Sequence, residues 1–386
     1  RLSEALARRG HSVTVIHDAD AYISLAGQAP APVAPPVGVE VVSLKSSLGV
    51  ASSLATHQIG RPIAHHETLK RLLKGVDVTW FHNISLVGGP GLLSYGSGLK
   101  VYEAHEHWLV CPTHVLWRFD RERCDAKRCL SCTLSYKRPP QLWRATGLLE
   151  RQARKVDVFI AKSEFSRAKH REFGFAPEMK VVPYFLPDEA ETAVAGAPAH
   201  DRPYFLFVGR LEKIKGVQDV IPAFAGEAGP DLLVIGDGDY AGELKRQAEG
   251  MSRVRFLGRK PPSALGEYYR DAVALVTPSL CFETFGIVLI EAFRRGLPVI
   301  ARRLGPFPEI IDKSEGGLLF DTPVDLRTAM ESLSLDPDLR ARMGAAARRA
   351  YQRHWSETAV MGRYYEVLKD AAVARGDHRL AQAFDL

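Results

Sequence analysis

Short apolar runs alternate with helix-forming stretches along this chain, and the alternating series is run through twice. In the first half the strand candidates are residues 12–17, 39–44, 78–82, 100–104, 156–161 and 180–183. The second half repeats the pattern at 204–208, 231–235, 254–257, 274–277, 298–301 and 317–320, with helices such as 242–249 and 285–295 between them. Strands separated by helices pair in parallel and need cover on both faces. Residues 187–203 are small, polar and Pro-flanked, as a linker is, and 29–38 is a Pro- and Ala-rich surface loop. The expected fold is therefore α/β, with two doubly wound, Rossmann-like domains facing a central cleft at the carboxyl ends of their strands. The expected boundaries are 1–186, a linker at 187–203, 204–352, and a C-terminal helix at 353–374 crossing back to the first domain. That helix belongs to a helical stretch over 339–374.

The bulk numbers agree with this division. A chain of 386 residues, 46% hydrophobic and 25% charged, suits two soluble globular domains. No apolar run approaches the roughly 18–20 residues that cross a bilayer. The net charge of +6 favours anionic ligands but is too diffuse to point to nucleic acid. Five cysteines without a visible secretory leader indicate a reducing, cytoplasmic setting. Residues 1–10 read as the end of a helix leading into a strand. An α/β domain opens with a strand, so the expectation is that a first strand precedes Arg1 and that this polypeptide binds donor but transfers weakly.

Two segments of the second half carry chemistry. After the strand at 204–208 come Gly209, Arg210 and, within a short loop, Lys215 and Gly216. Two cations and backbone N–H groups at a strand's carboxyl end suit a diphosphate. After the strand at 274–277 comes Pro278, then Glu283, Thr284, Phe285, Gly286 and, further on, Glu291. A helix expected to begin near Phe285 would aim the amides of Thr284, Phe285 and Gly286 at an anion, and Gly286 would let a ligand approach the backbone. Glu283 and Glu291 stand about 12 Å apart on a helical rise, so they cannot share a proton and are suited to hold two points of an elongated ligand. Glu291 lies among apolar residues and needs a partner there.

These residues resemble the retaining glycosyltransferases of GT-B fold often called family 4. The resemblance runs from Arg9-Gly10-His11 to the last helix and is most specific in Glu283 to Glu291 together with Gly209-Arg210 and Lys215-Gly216. It implies a nucleoside-diphosphate sugar donor, with UDP- or GDP-sugars as candidates. Arg210 and Lys215 would hold the diphosphate and stabilise it as it leaves. Glu291 would accept hydrogen bonds from the ribose, and Glu283, Phe285 and Gly286 would meet the sugar and distal phosphate. Arg259, after the strand at 254–257, would lie near the base, and Gly305, Pro306 and Glu309 would form a further donor-side loop. In the first half His105, followed by Glu106, matches the histidine that contacts the donor sugar, with His107 left open. The resemblance implies no covalent nucleophile and no cofactor for catalysis; the acceptor would be a glycan or lipid-linked molecule, and nucleic acid is not expected as a partner.

Cys111, Cys124, Cys129 and Cys132 depart from that pattern. Four thiols so close in sequence form a candidate structural zinc site, with His105, His107 and His114 as alternates. The segment from Cys111 to Lys155 holds eleven Lys or Arg against four Asp or Glu, with Trp108, Trp117 and Trp143 in or beside it. A basic, aromatic loop of this kind could contact a membrane surface peripherally. Two other classes stay open. Gly236-Asp237-Gly238 with Ala241 satisfies a dinucleotide fingerprint, which would make the protein an NAD(P)-dependent oxidoreductase. The cysteines alone would suit a non-catalytic zinc-containing module.

Overall fold

The computed structural model describes residues 1–26, 34–188 and 197–385. The surface loop expected at 29–38 and the linker at 187–203 therefore lie partly outside the described residues. Among the described residues fourteen strands are present, named in chain order. β1 is Val13–Asp18, β2 Val39–Leu44, β3 Val78–His82, β4 Leu99–Ala104, β5 Trp117–Arg118, β6 Glu122–Arg123 and β7 Val158–Ala161. Then follow β8 Met179–Val181, β9 Tyr204–Val208, β10 Asp231–Ile235, β11 Val254–Gly258, β12 Ala274–Thr277, β13 Val299–Arg302 and β14 Gly317–Phe320.

The chain divides into two compact units, one made of Arg1–Val182 with Met361–Leu386 and the other of Pro183–Val360. In the first unit β3, β4, β7 and β8 form a parallel sheet in that order, while β1 and β2 pair in parallel as a sheet of their own. The β4 side chains are all buried, the signature of a strand covered on both faces.

In the second unit six parallel strands run in the order β11-β10-β9-β12-β13-β14. Counted within the unit, that is third, second, first, fourth, fifth, sixth, the order of dinucleotide-binding sheets. Alternation along each strand builds two cores. Tyr204, Leu206, Leu233, Ile235, Leu275 and Val299 enter one, covered by helices Ile287–Arg294 and Pro337–His354. Phe205, Phe207, Leu232, Val234, Val276 and Ile300 enter the other. A two-residue side-chain period in fully buried strands requires apolar residues at every position, which is why these strands read as continuous apolar runs.

Three helices differ from expectation, and the one expected at 242–249 is Ala241–Gln247. The helix expected from Phe285 begins at Ile287, because Gly286 takes φ +101°, outside the helical range. The stretch 339–374 is two helices, Pro337–His354 and Glu357–Ala374, separated at Trp355 and Ser356. Trp355 is buried and packs on Phe293, and that anchor interrupts the helical run. The cysteine segment, expected as a loop, contains the antiparallel β5–β6 hairpin and a helix at Cys129–Ser135.

Candidate active site

The second sheet reverses its strand order between β9 and β12, and ligands in open α/β sheets bind beyond the carboxyl ends at such a point. The predicted Gly209–Gly216 and Pro278–Gly286 segments follow these two strands. Their backbones are clamped together. Leu280 N–H donates to Ile214 O at 2.8 Å, and a Cβ on Gly216 would stand 2.1 Å from Pro278 O. This contact brings Lys215 and Glu283 into an ion pair of 2.7 Å, and Ser279 Oγ donates to the same Glu283 oxygen at 2.8 Å. Burial works against ionisation of Glu283, but the Lys215 ammonium and the two hydrogen bonds outweigh it and hold the carboxyl below its ordinary value. Burial likewise opposes charge on Lys215, and Glu283 reverses this and raises it. Arg210 is exposed and pairs with Glu212 at 2.6 Å. Arg259 is exposed just past β11.

These shifts fix a pH window. The depressed Glu283 adds stability above its ordinary 4.5, lost as pH falls; the raised Lys215 adds stability below its ordinary 10.5, lost as pH rises. The stability gap between the native chain and Lys215→Met should be widest at neutral to mildly alkaline pH, shrink toward acid as the Glu283 carboxyl, no longer held down in the variant, takes up its proton, and shrink again above about pH 10. Denaturant unfolding at a series of pH values measures it; a gap that does not depend on pH would contradict the pairing.

Glu291 is half-buried in helix Ile287–Arg294 and accepts a hydrogen bond from Tyr269 Oη at 3.0 Å. Tyr269 is the partner its apolar setting required, and nothing in the local sequence signals it because the residue comes from a separate helix, Leu265–Asp271. Gly286 is fixed by sterics: a Cβ there would stand 2.6 Å from the ring of Phe307, which is buried, at a φ that side chains rarely adopt. Gly286→Ala should cost about 2 kcal/mol in unfolding free energy; a cost near zero would show the turn to be relaxed. Gly305 adopts a left-handed φ before helix Phe307–Ser314, which carries Glu309 in its first turn.

The dinucleotide fingerprint falls on the wrong strand. Gly236 and Gly238 follow β10, the second strand of the order, whereas a pyrophosphate loop follows the first. Their glycines answer another need: a Cβ on Gly236 would lie 1.8 Å from Gly209 O, and one on Gly238 2.6 Å from Leu211 O. The two loops pack backbone to backbone, with Leu211 N–H on Asp237 O at 2.9 Å.

In the first unit His105 stands just past β4, and its Nε2 lies 2.7 Å from Nδ1 of His82, the last residue of β3. Beneath them Glu103, almost wholly buried, meets the fully buried Lys162 in a close ion pair. Tyr364 Oη donates to Glu103 Oε1 at 2.8 Å, and Lys162 Nζ donates to Tyr364 Oη at 2.7 Å. Burial would raise the Glu103 carboxyl, but Lys162 above all, then His82 and His105, hold it down to about 2. Burial lowers His105 to about 4 despite Glu103, so its imidazole is neutral near pH 7. His82, Lys162 and Tyr364 belong to no motif, and sequence reasoning misses them. His107 is buried, and His114 pairs with Glu106 at 2.7 Å.

The four loop cysteines are free thiols and near neighbours: burial first, then Cys111, Cys129 and Cys132, push Cys124 up to about 11. Cys132 Sγ accepts the Phe119 N–H at 3.5 Å. Among the described residues, three candidate ligand atoms come within 4.8 Å of one another only in His82–Glu103–His105 and Asp18–Asp20–His65. The cysteine sulfurs are spaced more widely. Trp108, Trp117 and Trp143 are buried, so the expected aromatic loop surface is not formed by tryptophans. Their indoles pack into the core, while Leu130, Leu134 and Leu142 are exposed instead. Among the described residues no helix is long and apolar enough to cross a membrane.

Residues 1–189 match the family model described as Glycosyltransferase Family 4, and residues 188–350 match Glycosyl transferases group 1. A D-inositol 3-phosphate glycosyltransferase of Corynebacterium kroppenstedtii is 36% identical over 200 residues, 47% of this chain and 43% of that protein. An N-acetyl-alpha-D-glucosaminyl L-malate synthase of Bacillus anthracis is 28% identical over 199 residues, 48% of this chain and 51% of that protein. The matched stretch thus spans about half the length of these curated relatives. Two solved structures share the fold over nearly the whole chain. Sucrose-phosphate synthase from Thermosynechococcus elongatus superposes with a TM-score of 0.69 at 22% identity, covering 96% of this chain and 92% of that one. Anabaena HepE, in complex with UDP-glucose, gives 0.67 at 18% identity, covering 96% and 94%. With a family model on each half and the sheet order and loops described above, the chain belongs to the family 4 glycosyltransferases of GT-B fold.

Proposed function

We propose that this protein is a retaining glycosyltransferase that moves a sugar from a nucleoside-diphosphate sugar to a glycan or lipid-linked acceptor. The observation that carries this is the Lys215–Glu283 pair at the strand-order reversal, with Glu291 on the helix that follows. A departing diphosphate needs cations where its charge develops. Lys215 commits one of its three N–H donors to Glu283 and has others for a phosphate oxygen; Arg210 projects from the adjoining loop end. Glu291, oriented by Tyr269, takes the ribose hydroxyls, and the Phe285–Gly286 segment takes the distal phosphate. His105, neutral near pH 7, takes the sugar contact. HepE bound to UDP-glucose supports a nucleotide-sugar donor by likeness of fold.

A screen of UDP- and GDP-sugars for transfer or donor hydrolysis tests the activity, and proton NMR of the product's anomeric centre tests retention. An inverted product would overturn the stereochemical part. Glu291→Gln keeps a partner for Tyr269 but loses the charge that strengthens its hydrogen bonds. It should weaken donor binding roughly tenfold to a hundredfold by calorimetry; unchanged affinity would remove Glu291 from the site.

For the cysteine loop the proposal keeps a structural zinc ion. Thiols of this segment repel one another once ionised, and a cation would relieve that by drawing together sulfurs that stand wider apart than in a bound site. Metal analysis of the native chain beside Cys129→Ser and Cys132→Ser decides it. The basic charge of this segment and the exposed Leu130, Leu134 and Leu142 support peripheral membrane contact on the cytoplasmic face.

A further inference from the structure

We propose that His82, Glu103 and His105 form a binding site for a divalent transition-metal ion of the zinc class. Adjacent strands assemble it. In the parallel register of β3 and β4, His82 stands opposite Glu103, and His105 follows two residues later, past the end of β4. His82 Nδ1 and His105 Nε2 share a hydrogen bond of 2.7 Å, His82 Nδ1 lies 3.8 Å from Glu103 Oε2, and His105 Nε2 lies 4.0 Å from Glu103 Oε1. Donor atoms bound about 2.1 Å from a tetrahedral zinc ion lie roughly 3.4 Å from each other, so an ion entering here would replace the hydrogen bond between the imidazoles, part them by less than about 1 Å and draw the carboxylate in.

The carboxylate is prepared for the ion by its far side. Glu103 is only 2% exposed, and Lys162 and Tyr364 both engage Oε1. Its Oε2 is buried without a hydrogen-bond partner. A buried carboxylate oxygen left in that state is costly unless something occupies it. A carboxylate held through one oxygen by an ammonium and a phenol, and open at the other, is a ligand with its outer shell already in place. Two imidazoles and one carboxylate favour zinc, cobalt, nickel or copper over magnesium or calcium. Entry is available, because the His82 and His105 side chains are 38% and 22% exposed. The other three-ligand group, Asp18–Asp20–His65, is buried throughout, and its carboxylates already accept the amides of Ala21 and Ser46.

Such an ion would occupy His105, to which the proposed function gives the sugar contact, so zinc would inhibit the enzyme. That consequence rests on the function proposed above; the site does not. The test therefore reads metal binding without substrate. The full chain carrying Cys124→Ser, Cys129→Ser and Cys132→Ser is stripped with chelator and titrated with zinc chloride by calorimetry, alone and with His82→Ala added. One equivalent should bind, and His82→Ala should weaken it roughly a hundredfold. His82→Gln, closer in volume, replaces His82→Ala if the latter melts early. If the triple substitution itself unfolds the chain, cobalt is added to the native protein, where a visible band lost on His82→Ala separates this site from thiolate ligation. No zinc bound, or equal binding by the His82 variants, would overturn the proposal.

Discussion

Lys215→Met should lower the turnover of nucleotide-sugar transfer, or of donor hydrolysis where no acceptor is supplied, by roughly a hundredfold to a thousandfold. The size follows from where the charge sits. In the function proposed above, departure of a nucleoside diphosphate would place negative charge on an oxygen at the strand-order reversal, where the Lys215 ammonium is held by Glu283 at 2.7 Å. A cation held in advance needs no reorganisation as the bond breaks, which is where most such catalysis originates. Methionine keeps the stem and removes the charge. Lys215→Arg should recover part of the rate, because the charge returns with a different reach. Glu283→Gln should keep the ammonium but loosen its position, lowering turnover by less than Lys215→Met does. Equal turnover in Lys215→Met and the native chain would place the leaving group elsewhere.

Lys162→Met should destabilise the protein by about 3–5 kcal/mol, the cost of leaving a buried carboxylate without its cation. Lys162 is fully buried and Glu103 nearly so, and among the described contacts the Tyr364 hydroxyl alone cannot neutralise the charge. The double variant Glu103→Leu/Lys162→Met removes both charges and should recover much of the loss, since apolar residues often replace a buried pair at little cost. Denaturant unfolding of the two variants measures this. A double variant as unstable as the single one would mean that packing, rather than the unpaired charge, sets the cost.

Much of the fold is legible in the order of residues alone. Buried parallel strands read as apolar runs, and β3, β9, β10, β12 and β14 stand at the bounds their sequences indicate. The turn at Gly286 moves a helix start by two residues because a left-handed glycine does not differ, in sequence, from a helix-opening one. The site is legible where motif and chain order coincide, as with Lys215 and Glu283. It is hidden where partners come from afar. Tyr364 reaches Glu103 across 261 residues, and Tyr269 reaches Glu291 from a different helix. Composition misleads at the tryptophans: a basic segment suggests a displayed aromatic surface, yet burying an indole gains more than exposing it, and all three lie in the core.

The central claim is that the second unit binds a nucleoside-diphosphate sugar through Lys215 and Glu291. Calorimetric titration of the protein with UDP, GDP, their glucose and mannose conjugates, NADH and NADPH tests it most directly, with Glu291→Gln run in parallel. The account predicts saturable binding of at least one nucleoside diphosphate or its sugar conjugate, weakened in Glu291→Gln, and none of the nicotinamide cofactors. Binding of NADH or NADPH alone, or nucleotide affinity indifferent to Glu291, would contradict it.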